Sequence, residues 1–150
     1  MFDSCKARRA VSDRVLGMSS DVKMTLGWVI AYVDDPAAAA EFYESTFGMS
    51  TDIVVPGEYA QLDTGSTKLA FAAYALGERN FADGVRRAAS DGQPPNMEIA
   101  LVHADVEAAY ARALEAGCES LAPPQDKPQG QRVAFVRDPF GTLVELATPL

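Results

Sequence analysis

From Thr25 onward the apolar positions fall into short runs with strand spacing, interrupted by two stretches with helical spacing. Residues 26–33 (LGWVIAYV) are apolar, aromatic and β-branched, the composition of a strand. Asp35 and Pro36 then offer an N-cap and a first helical residue, and AAAAEFYESTF continues as a helix to a C-terminal stop at Gly48. Phe42, Tyr43 and Phe47 recur at helix spacing and read as core. Three short strands follow near 50–55, 58–63 and 67–73, with Pro56-Gly57 and Gly65-Ser66 marking turns. The pattern then restarts. MEIALVHA opens at Met97, Asp105 caps the helix VEAAYARALEA ending at Gly117, and strands near 119–122, 131–136 and 142–147 complete it. Asp138-Pro139-Phe140-Gly141 reads as a tight turn before the last strand.

The two halves align with one another. A shift of 70 residues lays Trp28 on Glu98, Val29 on Ile99 and Asp35 on Asp105; a shift of 75 lays Thr67 on Thr142 and Ala70 on Glu145. Identities are few, so the shared order of strand, capped helix and three strands carries the argument for duplication. The expected organisation is one domain at 25–150, with modules 25–74 and 96–150 joined by a linker at 75–95. Within the linker, Phe81, Val85 and Ala88 share one face of a short helix candidate, and Gln93-Pro94-Pro95 follows.

Charge separates the head from the body. Net charge is −8, but residues 1–23 carry five Lys/Arg against three Asp, leaving −10 for the remainder. Such an acidic body argues against a nucleic-acid partner, which requires clustered Lys and Arg. Residues 1–24 lack sustained apolar periodicity and read as a flexible extension, with Met18 and Met24 as alternative starts. No apolar run approaches the roughly 18 residues of a membrane span, and no signal peptide is legible. Cys5 and Cys118 lie far apart and fit reduced thiols in the cytoplasm.

Two glutamates stand out against this background. Glu98 and Glu145 each sit inside an apolar strand, where a carboxylate is costly unless something satisfies it. Alternation puts Glu98, Ala100 and Val102 on one face, with Ile99 and Leu101 on the other. Leu143, Glu145 and Ala147 likewise oppose Val144 and Leu146. The same parity pairs Trp28, Ile30 and Tyr32 in the first strand, and Lys68, Ala70 and Ala72 in the fourth.

The doubled βαβββ unit, the opening GWVIAYVDDPAAAAEFYESTFGM and the closing VAFVRDPFGTLVELATP resemble the vicinal oxygen chelate superfamily. That group includes glyoxalase I, extradiol dioxygenases, and the bleomycin and fosfomycin resistance proteins. The resemblance covers about residues 26–149. It implies an α+β fold: two βαβββ modules whose curved mixed sheets form cup-like half barrels, with helices outside. It also implies that Trp28, Ala70, Glu98 and Glu145 occupy the four places where metal-using members carry His or Gln, Glu, His and Glu.

Neither Trp28 nor Ala70 can ligate a metal, and two carboxylates alone are a poor site for Zn, Ni or Fe. The single His103 has the opposite parity from Glu98 and reads as solvent-facing. Lys68 and Arg132 are the cations expected to answer the glutamates, and Trp28 and Tyr32 the aromatic wall of a pocket. The primary expectation is therefore a metal-free protein, probing its cup with Trp28, Tyr32, Lys68 and Arg132 for a small organic molecule. The alternative is a lyase, isomerase or dioxygenase, like lactoylglutathione lyase and dioxygenase relatives, using Glu145 and Glu98 with a weakly held divalent metal. A homodimer is expected in either case, because a lone module exposes sheet edges.

Overall fold

A computed structural model describes residues 22–150, so the expectations for the head fall almost wholly outside the described residues. The elements run β1 (Trp28–Val33), α1 (Pro36–Phe47), β2 (Thr51–Val55), β3 (Tyr59–Leu62), β4 (Lys68–Ala73), α2 (Tyr74–Asn80), β5 (Glu98–Val102), α3 (Val106–Glu115), β6 (Glu119–Asp126), β7 (Arg132–Arg137) and β8 (Leu143–Ala147). They form two four-stranded mixed sheets, ordered β1-β4-β3-β2 and β5-β8-β7-β6. The duplication is visible in the register. Ile30 pairs with Ala70 in parallel, as Ala100 pairs with Glu145.

The caps behave as the sequence indicates. Asp35 accepts from the Ala38 amide at 3.1 Å and Asp105 from the Ala108 amide at 3.0 Å, satisfying an otherwise orphaned donor in each helix's first turn. Gly48 ends α1 in the left-handed region (φ +69°), which a side chain would disfavour.

The apolar faces of both sheets drain into a single core with the helices. Val33, Leu62, Phe71 and Tyr43 from the first module meet Val106, Val136, Val144 and Leu146 from the second. Polar ties reinforce this joint: Tyr43 donates to the Asp138 carboxylate across 2.7 Å, and Arg112 of α3 donates to the Thr46 carbonyl at the end of α1 at 2.9 Å. Phe42 packs edge-on against Phe140, with ring centroids 5.8 Å apart.

Two elements differ in their bounds from expectation. The helix between the modules is Tyr74–Asn80, starting directly from β4, and the stretch holding Val85 and Ala88 is not helical. Expecting a helix through Phe81, Val85 and Ala88 was therefore wrong. Its start was hidden because Ala73 provides no side-chain cap. Strand β6 runs on to Asp126 through Pro123 and Pro124. It tolerates them because it is an edge strand and its register with β7 slips twice, so no ladder donor is missed. Edge strand β2 also slips, between Thr51 and Ile53.

Candidate functional site

The faces of the sheets turned away from α1 and α3 carry Trp28, Lys68, Glu98 and Glu145, as parity indicated, whereas Arg132 has the opposite parity and pairs with Glu107 of α3. In the first module this face is filled by a closed polar network. Trp28, first residue of β1, donates its indole N–H to Gln61 Oε1 at 2.8 Å, and Tyr59 donates to the same oxygen at 2.9 Å. Gln61 Nε2 in turn donates to Asp52 at 3.0 Å. Lys68 completes the network by pairing with Asp52 at 3.3 Å and with Asp63. Ala70, opposite Gln61 in the ladder, is 0% exposed. Trp28 itself stays 57% exposed, because its hydrogen bond holds only one edge of the ring.

The second module is different. Glu145 of β8 lies next to Glu98 of β5, and the two carboxylates interact. Partial burial and then the Glu98 carboxylate hold Glu145 above the usual carboxylate range, while the Lys127 ammonium works in the opposite direction. Lys127 also lies 5.8 Å from the Phe135 ring centroid, and Phe135 is the cross-strand neighbour of Glu145.

The expected cations are thus placed elsewhere. Lys68 is held by Asp52 and Asp63 of its own module, and Arg132 is held by Glu107 and by Asp126 at 3.0 Å. Nothing in the sequence ranked Lys127 above them, because its reach depends on the path of the loop after β6. Gln61 was also missed. The usable signal was parity, since Gln61 faces Ala70 across the ladder.

A cleft of about 770 Å³ opens between the free edges of β1 and β5. Tyr32 and Glu98 both line it, whereas Trp28 and Glu145 do not. The Tyr32 ring stacks on Tyr74 at 6.4 Å. A separate cleft of about 560 Å³ adjoins His103, whose Nδ1 accepts from the Asp105 amide at 3.0 Å, so His103 stands apart from the glutamates.

One buried polar centre lies behind the sheets. Asp138 is 3% exposed, and accepts from Tyr43 and from the Phe140 and Thr142 amides at 2.9 and 2.8 Å. Burial raises its pKa despite those donors. Burial and then Asp138 push Tyr43 well above the usual phenol range and Cys118 up to about 12. These groups are structural, and Cys118 is a buried, unreactive thiol.

Glu98 and Glu145 offer oxygens, Trp28 offers none, and Ala70 is a buried methyl beside Gln61. Among the described residues no three His, Cys, Asp or Glu side chains gather closely enough to hold a metal ion. This donor set does not fit the three- or four-ligand shell that a tightly held transition metal takes.

Two mirrored βαβββ modules with candidate residues on their open faces define a class, and comparison with known proteins agrees. Residues 25–146 match the model of the Glyoxalase/Bleomycin resistance protein/Dioxygenase superfamily, and the chain belongs to that family. It is 27% identical over 128 residues to the proteins named "Putative glyoxylase CFP32" of Mycobacterium tuberculosis and Mycobacterium bovis, covering 83% of this chain. The chain spans 44% of the length of those relatives. A glyoxalase/bleomycin resistance protein/dioxygenase family enzyme from Burkholderia phytofirmans superposes with a TM-score of 0.72 at 21% identity, over 85% of this chain and all of that one. Lactoylglutathione lyase from Agrobacterium tumefaciens gives 0.61 at 22% identity, over 85% of this chain and 95% of that one. No described helix is long and apolar enough to cross a membrane.

Proposed function

We propose that this protein is a metal-free member of the family that binds a small organic molecule. The observation that carries the reading is the closed Trp28–Gln61–Asp52–Lys68 network, which occupies with internal hydrogen bonds the face where half of a ligand shell would stand. Binding then falls to the open second module and to the cleft beside it, whose volume lies in the range of small-molecule sites. The functional unit is a homodimer, because β1 and β5 leave free edges beside the exposed Trp28, Ile30, Met97 and Val102.

Melting temperature measured with and without a chelator, for wild type and Glu145→Gln, tests the metal-free reading. We expect no chelator effect on wild type, and a Glu145→Gln protein at least as stable at neutral pH. The sign follows from linkage. A carboxyl raised in the folded state contributes stability below its unfolded pKa, and that contribution is lost as pH rises through the folded value. A wild type destabilised by chelator, with a mutant that no longer responds, would sink the reading, since bound metal stabilises the native state by mass action. A melting screen against small organic molecules tests binding separately.

The adjacency of Glu98 and Glu145, with the names of the two relatives above, favours one second reading. This is an enzyme of the lyase, isomerase or dioxygenase kind, using both carboxylates around a weakly held divalent ion.

A further inference from the structure

The segment between the modules is built as a wall of the large cleft. Arg137, 2% exposed, donates to the carbonyls of Ala89, Asp91 and Gly92 at 3.1, 3.2 and 2.6 Å, and pairs with Glu119 at 3.1 Å. The Ala88 amide donates to Tyr74 Oη at 3.0 Å. Two glycines let the segment sit this close. A Cβ on Gly77 would lie 2.4 Å from Val85 Cγ2, and one on Gly141 would lie 2.6 Å from Ala88 Cβ. The wall is therefore fixed on both sides of Arg86.

Two charged groups in the cleft stand apart from the rest. From Met24 onward, every Lys and Arg except Arg86 has a carboxylate, carbonyl or aromatic partner among the described residues. Arg86 has none, in a body of strongly negative charge, and it lines the cleft. Glu98 lines the same cleft, likewise without a cationic partner among the described residues, and forms no ion pair with Arg86. Tyr32 lines the cleft with its aromatic ring. Its stack is extended by Tyr74 and by the Arg87 guanidinium, 4.3 Å from the Tyr74 centroid and tied to Asp34 at 2.7 Å.

We propose that the cleft between β1 and β5 binds a small zwitterion of the aromatic amino-acid class. Arg86 takes its carboxylate, Glu98 takes its ammonium group, and its ring lies against Tyr32 and the apolar edge of β1. The proposal rests on the metal-free binding reading and gives it a ligand class. The planar guanidinium fork suits a carboxylate, and an ammonium at Glu98 also answers the crowding of Glu98 on Glu145. Two unanswered charges of opposite sign in one cleft select against a ligand carrying only one of them, because the second would remain desolvated and unpaired.

Calorimetric titration of the full chain with L-phenylalanine, 2-phenylethylamine and 3-phenylpropanoate tests this. The last two keep the ring and lack the carboxylate or the amine. L-Phenylalanine should bind at least about tenfold more tightly than either, since one charge-assisted hydrogen bond is worth about that factor. Arg86→Gln should lower L-phenylalanine affinity about tenfold and leave 2-phenylethylamine unchanged. Glu98→Gln should weaken both of those and spare 3-phenylpropanoate. Arg86 is exposed and has no side-chain partner among the described residues, so an unchanged melting temperature in Arg86→Gln certifies the fold. Equal binding of all three probes, no binding of any, or full L-phenylalanine affinity in Arg86→Gln overturns the proposal. If L-phenylalanine fails while a different organic molecule raises the melting temperature, the zwitterion falls and the binding function stands. A chelator-sensitive melt removes the metal-free reading instead.

Discussion

Removing one hydroxyl, in Tyr43→Phe, tests how the modules are joined. Tyr43 Oη is the donor to Asp138 Oδ2, while Oδ1 keeps the Phe140 and Thr142 amides. The substitution leaves the ring packed between Phe47 and Phe71, 5.2 and 5.0 Å away, so apolar burial is nearly unchanged. What is lost is a buried hydrogen bond to a charged group, worth about 1.5–3 kcal/mol. Taking about 2 kcal/mol, the melting temperature of a domain this size should fall by about 6–10 °C. Protonation of Asp138 sets a ceiling on the cost. From an ordinary carboxyl pKa, that ceiling is about 4 kcal/mol at pH 7 and only about 1.5 kcal/mol at pH 5. Burial already raises Asp138, and losing its donor raises it further, so the mutant carboxyl takes a proton first as pH falls. The stability gap between wild type and mutant should therefore be largest at pH 7 and shrink toward pH 5. Urea unfolding at both values measures it, with the double mutant Tyr43→Phe/Asp138→Asn isolating the pair. A gap under about 0.5 kcal/mol at pH 7, or one that widens toward pH 5, would refute the reasoning, since surface changes alone reach that size.

Gly77→Ala should destabilise the protein by about 1–3 kcal/mol, although Gly→Ala within a helix ordinarily stabilises, because the new methyl overlaps the stiff Val85 side chain. Gly77→Ala/Val85→Ala should recover part of that loss in a thermal melt, and a stabilised single mutant would contradict the tight wall. Light scattering at micromolar concentration should give twice the mass of a 16.0 kDa chain, and a strict monomer would count against the dimer.

How much of this was legible beforehand depended on whether the deciding contact was local. The capped helices and the Asp138–Gly141 turn were readable because Asp35, Asp105, Gly48 and Asp138 act within four residues of themselves. The inward face of each strand followed from period two alone. The adjacency of Glu98 and Glu145 was readable through the duplication, which places them in neighbouring strands. The cations were not, because Lys68 and Arg132 carry no sign of which acids will reach them once loops are placed. Arg137 was invisible for a further reason. Its acceptors are the carbonyls of Ala89, Asp91 and Gly92, which every residue has, so no side-chain pattern marks a buried arginine that ties down a coil.

The irregular edges have a consequence for how this protein meets other strands. A strand that adds to a sheet needs several consecutive backbone groups in register. Outer edge β6 interrupts them with two prolines and two slips, and outer edge β2 with one slip. Inner edges β1 and β5 run unbroken for six and five residues. Open-ended polymerisation through the outer rims is thereby discouraged, and among the described residues the regular templates are the two that flank the cleft. Self-pairing of this chain should accordingly be directed to those two inner edges, which favours a closed dimer over an extended fibre.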